Sequence, residues 1–262
     1  MIKVAHEVPI SLLEQSRKFN NYDYALVHLF KQYPEYLDFF KKSLEMGREV
    51  ILDNSIFELG EAFNHDEFAH WVLELKPTYY ILPDSLENME KTITNAVNFR
   101  KKYKKLPGQA MGVVQGKTME EVLICYEIMD KELKLDFIGI SFDYKFFESY
   151  FPGNKYRGWM LGRKHLLEVL ESTVLNKNKK HHLLGASLPQ EGELVAKYPW
   201  IYSTDTSNPI VHGIKGVQYM EHGLDSKESI KLADLIDHKV TPKQLQTILY
   251  NVGKFKQFWG HE

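Results

Sequence analysis

Six short apolar runs in this chain each end in polar or small residues, and segments of helical pattern separate them. Val50-Ile51-Leu52 ends in Asp53, Tyr80-Ile81-Leu82-Pro83 in Asp84, and Met111-Gly112-Val113-Val114 in Gln115-Gly116. Phe137-Ile138-Gly139-Ile140-Ser141-Phe142 ends in Asp143, and His182-Leu183-Leu184-Gly185-Ala186 in Ser187. Trp200-Ile201 leads through Tyr202-Ser203-Thr204 to Asp205, and Thr206-Ser207-Asn208-Pro209 follows. Runs this short and this apolar suit strands buried on both faces. A polar group at the exit of strand after strand places the chemistry on one rim of a parallel barrel.

The intervening segments carry helix punctuation. Pro34 opens a helix expected through Met46, with Gly47 as its stop. Asn64-His65-Asp66-Glu67 and Thr118-Met119-Glu120-Glu121 each pair an N-cap with early acids, and Ser85 or Asn88 caps a helix from Met89 to Tyr103. Thr241-Pro242 opens a closing helix to Phe258, after another over 226–237. Residues 144–163 read as a long loop. Tyr24 to Phe30 reads as the first strand and Gly213 to Gln218 as the eighth, with Pro209 stopping regular structure between the seventh and eighth. The expected fold is therefore α/β: a TIM-like (β/α)8 barrel, irregular at its first and eighth strands, as a single domain over 1–262. An open parallel sheet is the alternative. A length of 262 residues and 44% hydrophobic content suffice for such a core.

The single Cys125 excludes an intramolecular disulfide and any zinc site needing two thiolates, and no tight histidine spacing replaces them. No metal and no cofactor are expected. One reduced cysteine and no apolar leader point to the cytoplasm, and no run reaches the ~20 residues of a membrane span. The net charge of -2 demands no polyanionic partner globally, but the basic residues are clustered.

Carboxylates at strand ends have a definite chemistry. One can attack an electrophilic carbon and form a covalent intermediate, while a second acts as general acid and base. Two carboxylates flanking a glycosidic bond are the usual arrangement for substitution at a sugar C1. An Asp and a Gln can also read a purine-like heterocycle through its N–H and carbonyl groups.

These segments, in this order, resemble the tRNA-guanine transglycosylases, the queuine and archaeosine tRNA-ribosyltransferases. Asp53-Asn54-Ser55-Ile56-Phe57-Glu58-Leu59 resembles the family's T-D-S-G-G-[FY]-Q segment, and Pro83-Asp84-Ser85 its A-F-D-E segment. Gly112-Val113-Val114-Gln115-Gly116 is similar to G-[IV]-V-Q-G, and Phe137-Ile138-Gly139-Ile140 stands where the family has A-I-G-G. Leu183 to Pro189 resembles Y-L-M-G-V-G-T-P, and Asp205-Thr206-Ser207-Asn208-Pro209 keeps the D-C-V-x-P spacing. The resemblance implies Asp205 as nucleophile and Asp53 as general acid/base. It implies Asp84 and Gln115 as base-holding residues, with Gly116, Gly139 and Ser187 beside them. The family's zinc ligands, three Cys and one His, have no counterpart, and Ser55-Ile56 replaces the double glycine. Ile140 replaces the second glycine of A-I-G-G, no T-R-x-A-R follows Pro209, and the chain is shorter than the tRNA enzymes.

The pattern is similar to the compact DNA transglycosylases of phages and bacterial modification clusters. It implies exchange of guanine in DNA for a 7-deazaguanine such as preQ0, with tRNA as the alternative substrate and, for a phage protein, the host cytoplasm as location. Other readings are a nucleoside or glycoside hydrolase on the same barrel and an inactive nucleic-acid-binding subunit. Lys155, Arg157, Arg163 and Lys164 are the candidate phosphate contacts, with Tyr156 and Trp159 placed to stack on bases. Arg100-Lys101-Lys102-Tyr103-Lys104-Lys105 reads as a solvated helix end. His28, His181 and His182 read as structural or surface residues, and Asp143 as solvated structure.

Overall fold

Four helices begin where a side chain can replace the missing turn of hydrogen bonds. The Asn64 side chain accepts from the Asp66 and Glu67 amides, Asn88 from Lys91, and Thr118 from Glu121. Thr241 and Gln244 form a reciprocal capping box, with Pro242 in the first turn. Three caps are the ones the sequence marks, and at α5 the structure chooses Asn88 over Ser85. The structure, a computed structural model, describes residues 1–261.

In chain order the elements are β1 (Lys3–His6), α1 (Leu13–Ser16), β2 (Asp23–Leu26), α2 (Pro34–Glu45), β3 (Val50–Asp53), α3 (Ile56–Leu59), α4 (His65–Leu75), β4 (Tyr79–Ile81) and α5 (Met89–Lys102). Then come β5 (Gln109–Val113), α6 (Met119–Glu127), β6 (Phe137–Ile140), α7 (Phe146–Tyr150), α8 (Lys155–Ser172), β7 (Lys180–Leu183), α9 (Glu191–Val195), β8 (Ile201–Thr206), α10 (Asn208–Ile214) and α11 (Pro242–Phe258). The strands form one sheet in the order β1-β8-β7-β6-β5-β4-β3-β2. The first strand pairs in parallel with the last, Ala5 opposite Asp205. An open doubly wound sheet does not make that pairing, and the fold is a TIM-like (β/α)8 barrel.

Several expectations change. The first strand is Lys3–His6, within a segment that gave no sequence signal, so Tyr24 begins no first strand: it lies in β2, and Val27–Leu29 is a 3-10 turn. Gly213 to Gln218 is not a strand. Pro209 sits in the first turn of α10, where proline's missing N–H costs nothing, so it starts a helix instead of stopping structure. Asp53 therefore ends the third strand and Asp205 lies in the eighth. Residues 144–163 are largely helical, in α7 and the start of α8, and the helix expected over 226–237 is only a 3-10 turn at Leu232–Leu235.

Contacts divide the chain into two compact units. One comprises Met1–Asn21, Ser141–Val169 and the chain from His182 on; the other comprises Tyr22–Ile140 and Leu170–His181. In the second unit β2 to β6 pair in parallel, with Leu26 opposite Asp53, Leu52 opposite Tyr80 and Val113 opposite Gly139. Its core includes the buried Phe68, Phe99, Tyr126 and Phe137. In the first unit Asn251 of α11 donates to the Val217 carbonyl and accepts from the Tyr219 amide, fixing the segment after α10.

Candidate functional site

The second unit holds three of the expected residues in two hydrogen-bonded groups, one around Asp53 and one joining Asp84 to Gln115. Asp53, the last residue of β3, accepts from the Tyr24 hydroxyl at Oδ2 and from the Ser55 amide at Oδ1. Ser55 holds a left-handed conformation, φ 60°, at the position that replaces glycine in the resembling family. Asn54 donates to the Leu82 carbonyl at 2.9 Å and to Asp84 Oδ1 at 2.8 Å. Gln115 Nε2 donates to Asp84 Oδ2 at 2.7 Å, and Gln115 Oε1 accepts from the Glu87 amide at 3.0 Å. Burial pushes the Asp84 carboxyl up to about 6, although the Asn54 and Gln115 hydrogen bonds pull it down. Each Asp84 oxygen still has capacity to accept from a ligand N–H.

The glycines have other neighbours. A Cβ on Gly116 would stand 2.8 Å from the Val122 amide nitrogen, so this glycine lets the chain pass close to the first turn of α6. Gly139 is buried in β6, and its carbonyl accepts from the Val114 amide at 3.0 Å. The buried Cys125 accepts weakly from the Gln115 amide at 3.5 Å, and burial pushes its thiol up to about 12.

The first unit centres on Asp205. Its Oδ1 accepts from His182 Nε2 at 2.9 Å and from the Gly185 amide at 3.2 Å. Its Oδ2 takes no hydrogen bond among the described residues. The other ring nitrogen of His182, Nδ1, lies 2.8 Å from Ser203 Oγ. Ser203 and Asp205 are two residues apart on β8 and share a face, which His182 of β7 meets. His182 and Ser203 are both 0% exposed, whereas Asp205 retains 5%. Gly185 has φ 62°, and a Cβ there would stand 2.6 Å from the Phe142 ring, so glycine is required for its amide to reach Asp205.

A buried ion pair braces that loop. Arg163 Nε donates to Glu191 Oε1 at 2.5 Å, while its terminal nitrogens donate to the Leu184 and Gly185 carbonyls at 2.9 and 2.8 Å. The Ser187 amide donates to Glu191 Oε2 at 3.1 Å, and its hydroxyl to the Tyr156 carbonyl at 2.6 Å. Arg163 is therefore no phosphate contact: it is 0% exposed and its donors are directed inward. Ser187 is fully buried as well, with its hydroxyl engaged. Lys155 and Arg157 are exposed on the first turn of α8, with the Lys155 ammonium 5.3 Å from the Tyr156 ring centre and 5.0 Å from that of Trp159. Lys164 pairs with Glu168 at 2.8 Å. Lys227 lies over the Phe142 ring at 4.2 Å and donates to the Ala186 carbonyl at 3.3 Å. Burial lowers its ammonium, against the opposing pull of Asp143, Glu7, Asp205 and Glu191.

His182, Arg163 and Glu191 are the residues sequence reasoning misplaced or passed over. Alternation held the signal for His182: in Lys180-His181-His182-Leu183 the two histidines must face opposite ways. His181 meets the Tyr126 hydroxyl at 2.9 Å in the second unit, and His182 meets Asp205 in the first.

Elsewhere in the second unit, a groove of about 550 Å³ is lined by Arg100, Lys101, Lys104, Lys134, Tyr80 and Tyr103, among others. It lies near Gln109 and Asp136, at the amino ends of β5 and β6. Lys101, Lys104 and Lys134 have no ion-pair partner among the described residues. No group of three or more His, Cys, Asp or Glu among the described residues is placed to hold a metal ion. No helix there is long and apolar enough to cross a membrane.

Fold and strand-end residues together define a (β/α)8-barrel protein with polar networks at the carboxyl ends of its strands. No family model matches the chain, and no curated protein does. One similar solved structure is an enolase protein from the environmental genome shotgun sequencing of the Sargasso Sea, 10% identical with a TM-score of 0.43. The match covers 78% of this chain and 54% of that one, so the chain spans about half the length of this enolase.

Proposed function

We propose that this chain is a base-exchange transglycosylase that replaces guanine in DNA with a 7-deazaguanine base of the preQ0 type. The observation that carries the reading is the state of Asp205: one oxygen is tied by two N–H donors and the other is open. That is what a carboxylate nucleophile needs, a fixed orientation and an uncommitted lone pair. Asp205 attacks C1′ and guanine leaves. The arriving base then displaces the aspartate. Asp53, held between Tyr24 and the Ser55 amide, serves as general acid and base. The Asp84–Gln115 pair recognises the heterocycle, with Asp84 accepting from its N–H groups. One glycosidic bond replaces another, so the exchange needs no cofactor. DNA is favoured over tRNA because the sequence lacks the ligands of the tRNA enzymes' zinc site.

Ser203, His182 and Asp205 have the composition of a serine-hydrolase triad, but the order of exposure is wrong for one. The serine is fully buried, and of the three only the carboxylate keeps any exposure, at 5%.

The test is to trap wild type, Asp205→Asn and Asp53→Asn with DNA and look for an adduct that survives denaturation. Wild type should form it and Asp205→Asn should not. Asp53→Asn should keep a nucleophile but lose proton transfer, a fall of roughly 10²–10⁴-fold in exchange. Nucleoside mass spectrometry with and without preQ0 separates exchange from hydrolysis. An adduct seen only with RNA would keep the chemistry and overturn the choice of DNA. An adduct that persists in Asp205→Asn and vanishes in Asp53→Asn would reverse the two roles.

A further inference from the structure

We infer that His182 is the positioning residue that divides the two oxygens of Asp205 into a held one and a reacting one, and so governs release of the covalent intermediate. The inference rests on the transglycosylase reading and deepens it.

A carboxylate oxygen only accepts, so the His182 nitrogen facing Asp205 Oδ1 at 2.9 Å must carry a proton. That makes Nε2 the donor. In the neutral ring Nδ1 then accepts from the Ser203 hydroxyl at 2.8 Å. Neither His182 nor Ser203 is exposed, so bulk water does not compete for either partner. Asp205 thus fixes the tautomer, and the Ser203 hydroxyl, able to donate, satisfies the second nitrogen. With the Gly185 amide as second donor to the same oxygen, Oδ2 is left to react.

In the first half-reaction Oδ2 bonds to C1′ and the C1′–N9 bond breaks. Its electron pair leaves with guanine, which takes up a proton from the general acid. In the resulting ester Oδ1 is the carbonyl oxygen. In the second half-reaction the incoming base loses its N9 proton to the general base and attacks C1′. The C1′–Oδ2 bond breaks, and its pair returns to the carboxylate. Oδ1 is more negative in the free carboxylate than in the ester. The two N–H donors therefore stabilise the departing aspartate more than the adduct. They make Asp205 a better leaving group and a weaker nucleophile.

His182→Leu should consequently discharge its adduct more slowly on addition of preQ0, by roughly 10²-fold, the usual effect of removing one such donor. Adduct formation should not slow to match, so the trapped fraction at steady state should rise. His182→Gln, whose amide can donate to Oδ1 and accept from Ser203, should restore discharge. Thermal unfolding of both variants checks that they fold; should His182→Leu not fold, Ser203→Ala replaces it, with a smaller slowing of discharge. Slower formation with unchanged discharge would overturn the proposal, as would a His182→Gln variant no better than His182→Leu. The ring itself gives a readout independent of turnover. Nitrogen-15 spectra of the wild-type protein should show His182 protonated at Nε2, with signals that move in Asp205→Asn. A ring protonated at Nδ1 alone would overturn the assignment even in an active enzyme. If wild type forms no adduct and exchanges no base, the transglycosylase reading fails while that spectrum still decides whether His182 positions Asp205.

Discussion

Asp84 is where burial and function pull against each other. Its carboxyl, pushed up to about 6 by burial, is fully an anion only above that pH. If it accepts from a heterocycle's N–H groups, binding of guanine or preQ0 should strengthen as pH rises through about 6 and then level off. Asp84→Asn should abolish that rise. Calorimetric titration across this window is the measurement, and a flat wild-type profile would remove Asp84 from the base site. The same shift bears on folding. Between the ordinary value of 3.8 and about 6 the folded chain keeps a proton that the unfolded chain has lost, so this group's contribution to stability falls as pH rises across that interval. The placement of Asp53, Asp84, Gln115 and Asp205 at strand ends was legible in the sequence because each follows or ends a short apolar run. His182 was not, because one dimension does not say which of two adjacent histidines faces the carboxylate.

At the scale of elements, punctuation was legible and long-range pairing was not. Asn64, Asn88, Thr118 and Thr241 cap the helices they were expected to cap, since capping is local chemistry. Lys3–His6 escaped notice because four residues, two of them basic types, carry no pattern until Ala5 is seen opposite Asp205. Arg163 misled for a related reason: it belongs to Lys155–Ser172, and only its bonds to Glu191, Leu184 and Gly185 show it is interior. Arg163→Ala strands the Glu191 carboxylate without its cation and should destabilise the chain by about 3–5 kcal/mol. The double variant Arg163→Met with Glu191→Leu should lose much less, because it leaves no buried charge. Urea denaturation midpoints of the two variants check this; equal losses would mean that the pair braces nothing beyond its own volume.

For the whole molecule, a net charge of -2 supplies no overall attraction to a polyanion, so any phosphate track must be local. Removing Arg163 from the candidates leaves Lys155 and Arg157 as exposed cations on α8, beside two aromatic rings. Lys155→Ala and Arg157→Ala should each lower the slope of log affinity against log salt for DNA by about one unit per lost phosphate contact. An unchanged slope, together with a slope that falls in Lys101→Ala, Lys104→Ala and Lys134→Ala, would assign the track to the groove at the amino ends of β5 and β6.

The donor that Gly185 offers Asp205 belongs to the main chain, and this has a bearing on how such a protein can diverge. Side-chain contacts can be exchanged for others over successive generations, as a glutamine can stand in for His182. A peptide N–H held at φ 62° beneath an aromatic ring has no such alphabet of substitutes. The chain can lose this contact only by moving the loop itself. In diverging lineages that keep the chemistry, the least informative letter of the segment Leu183-Leu184-Gly185-Ala186 should be the slowest to change.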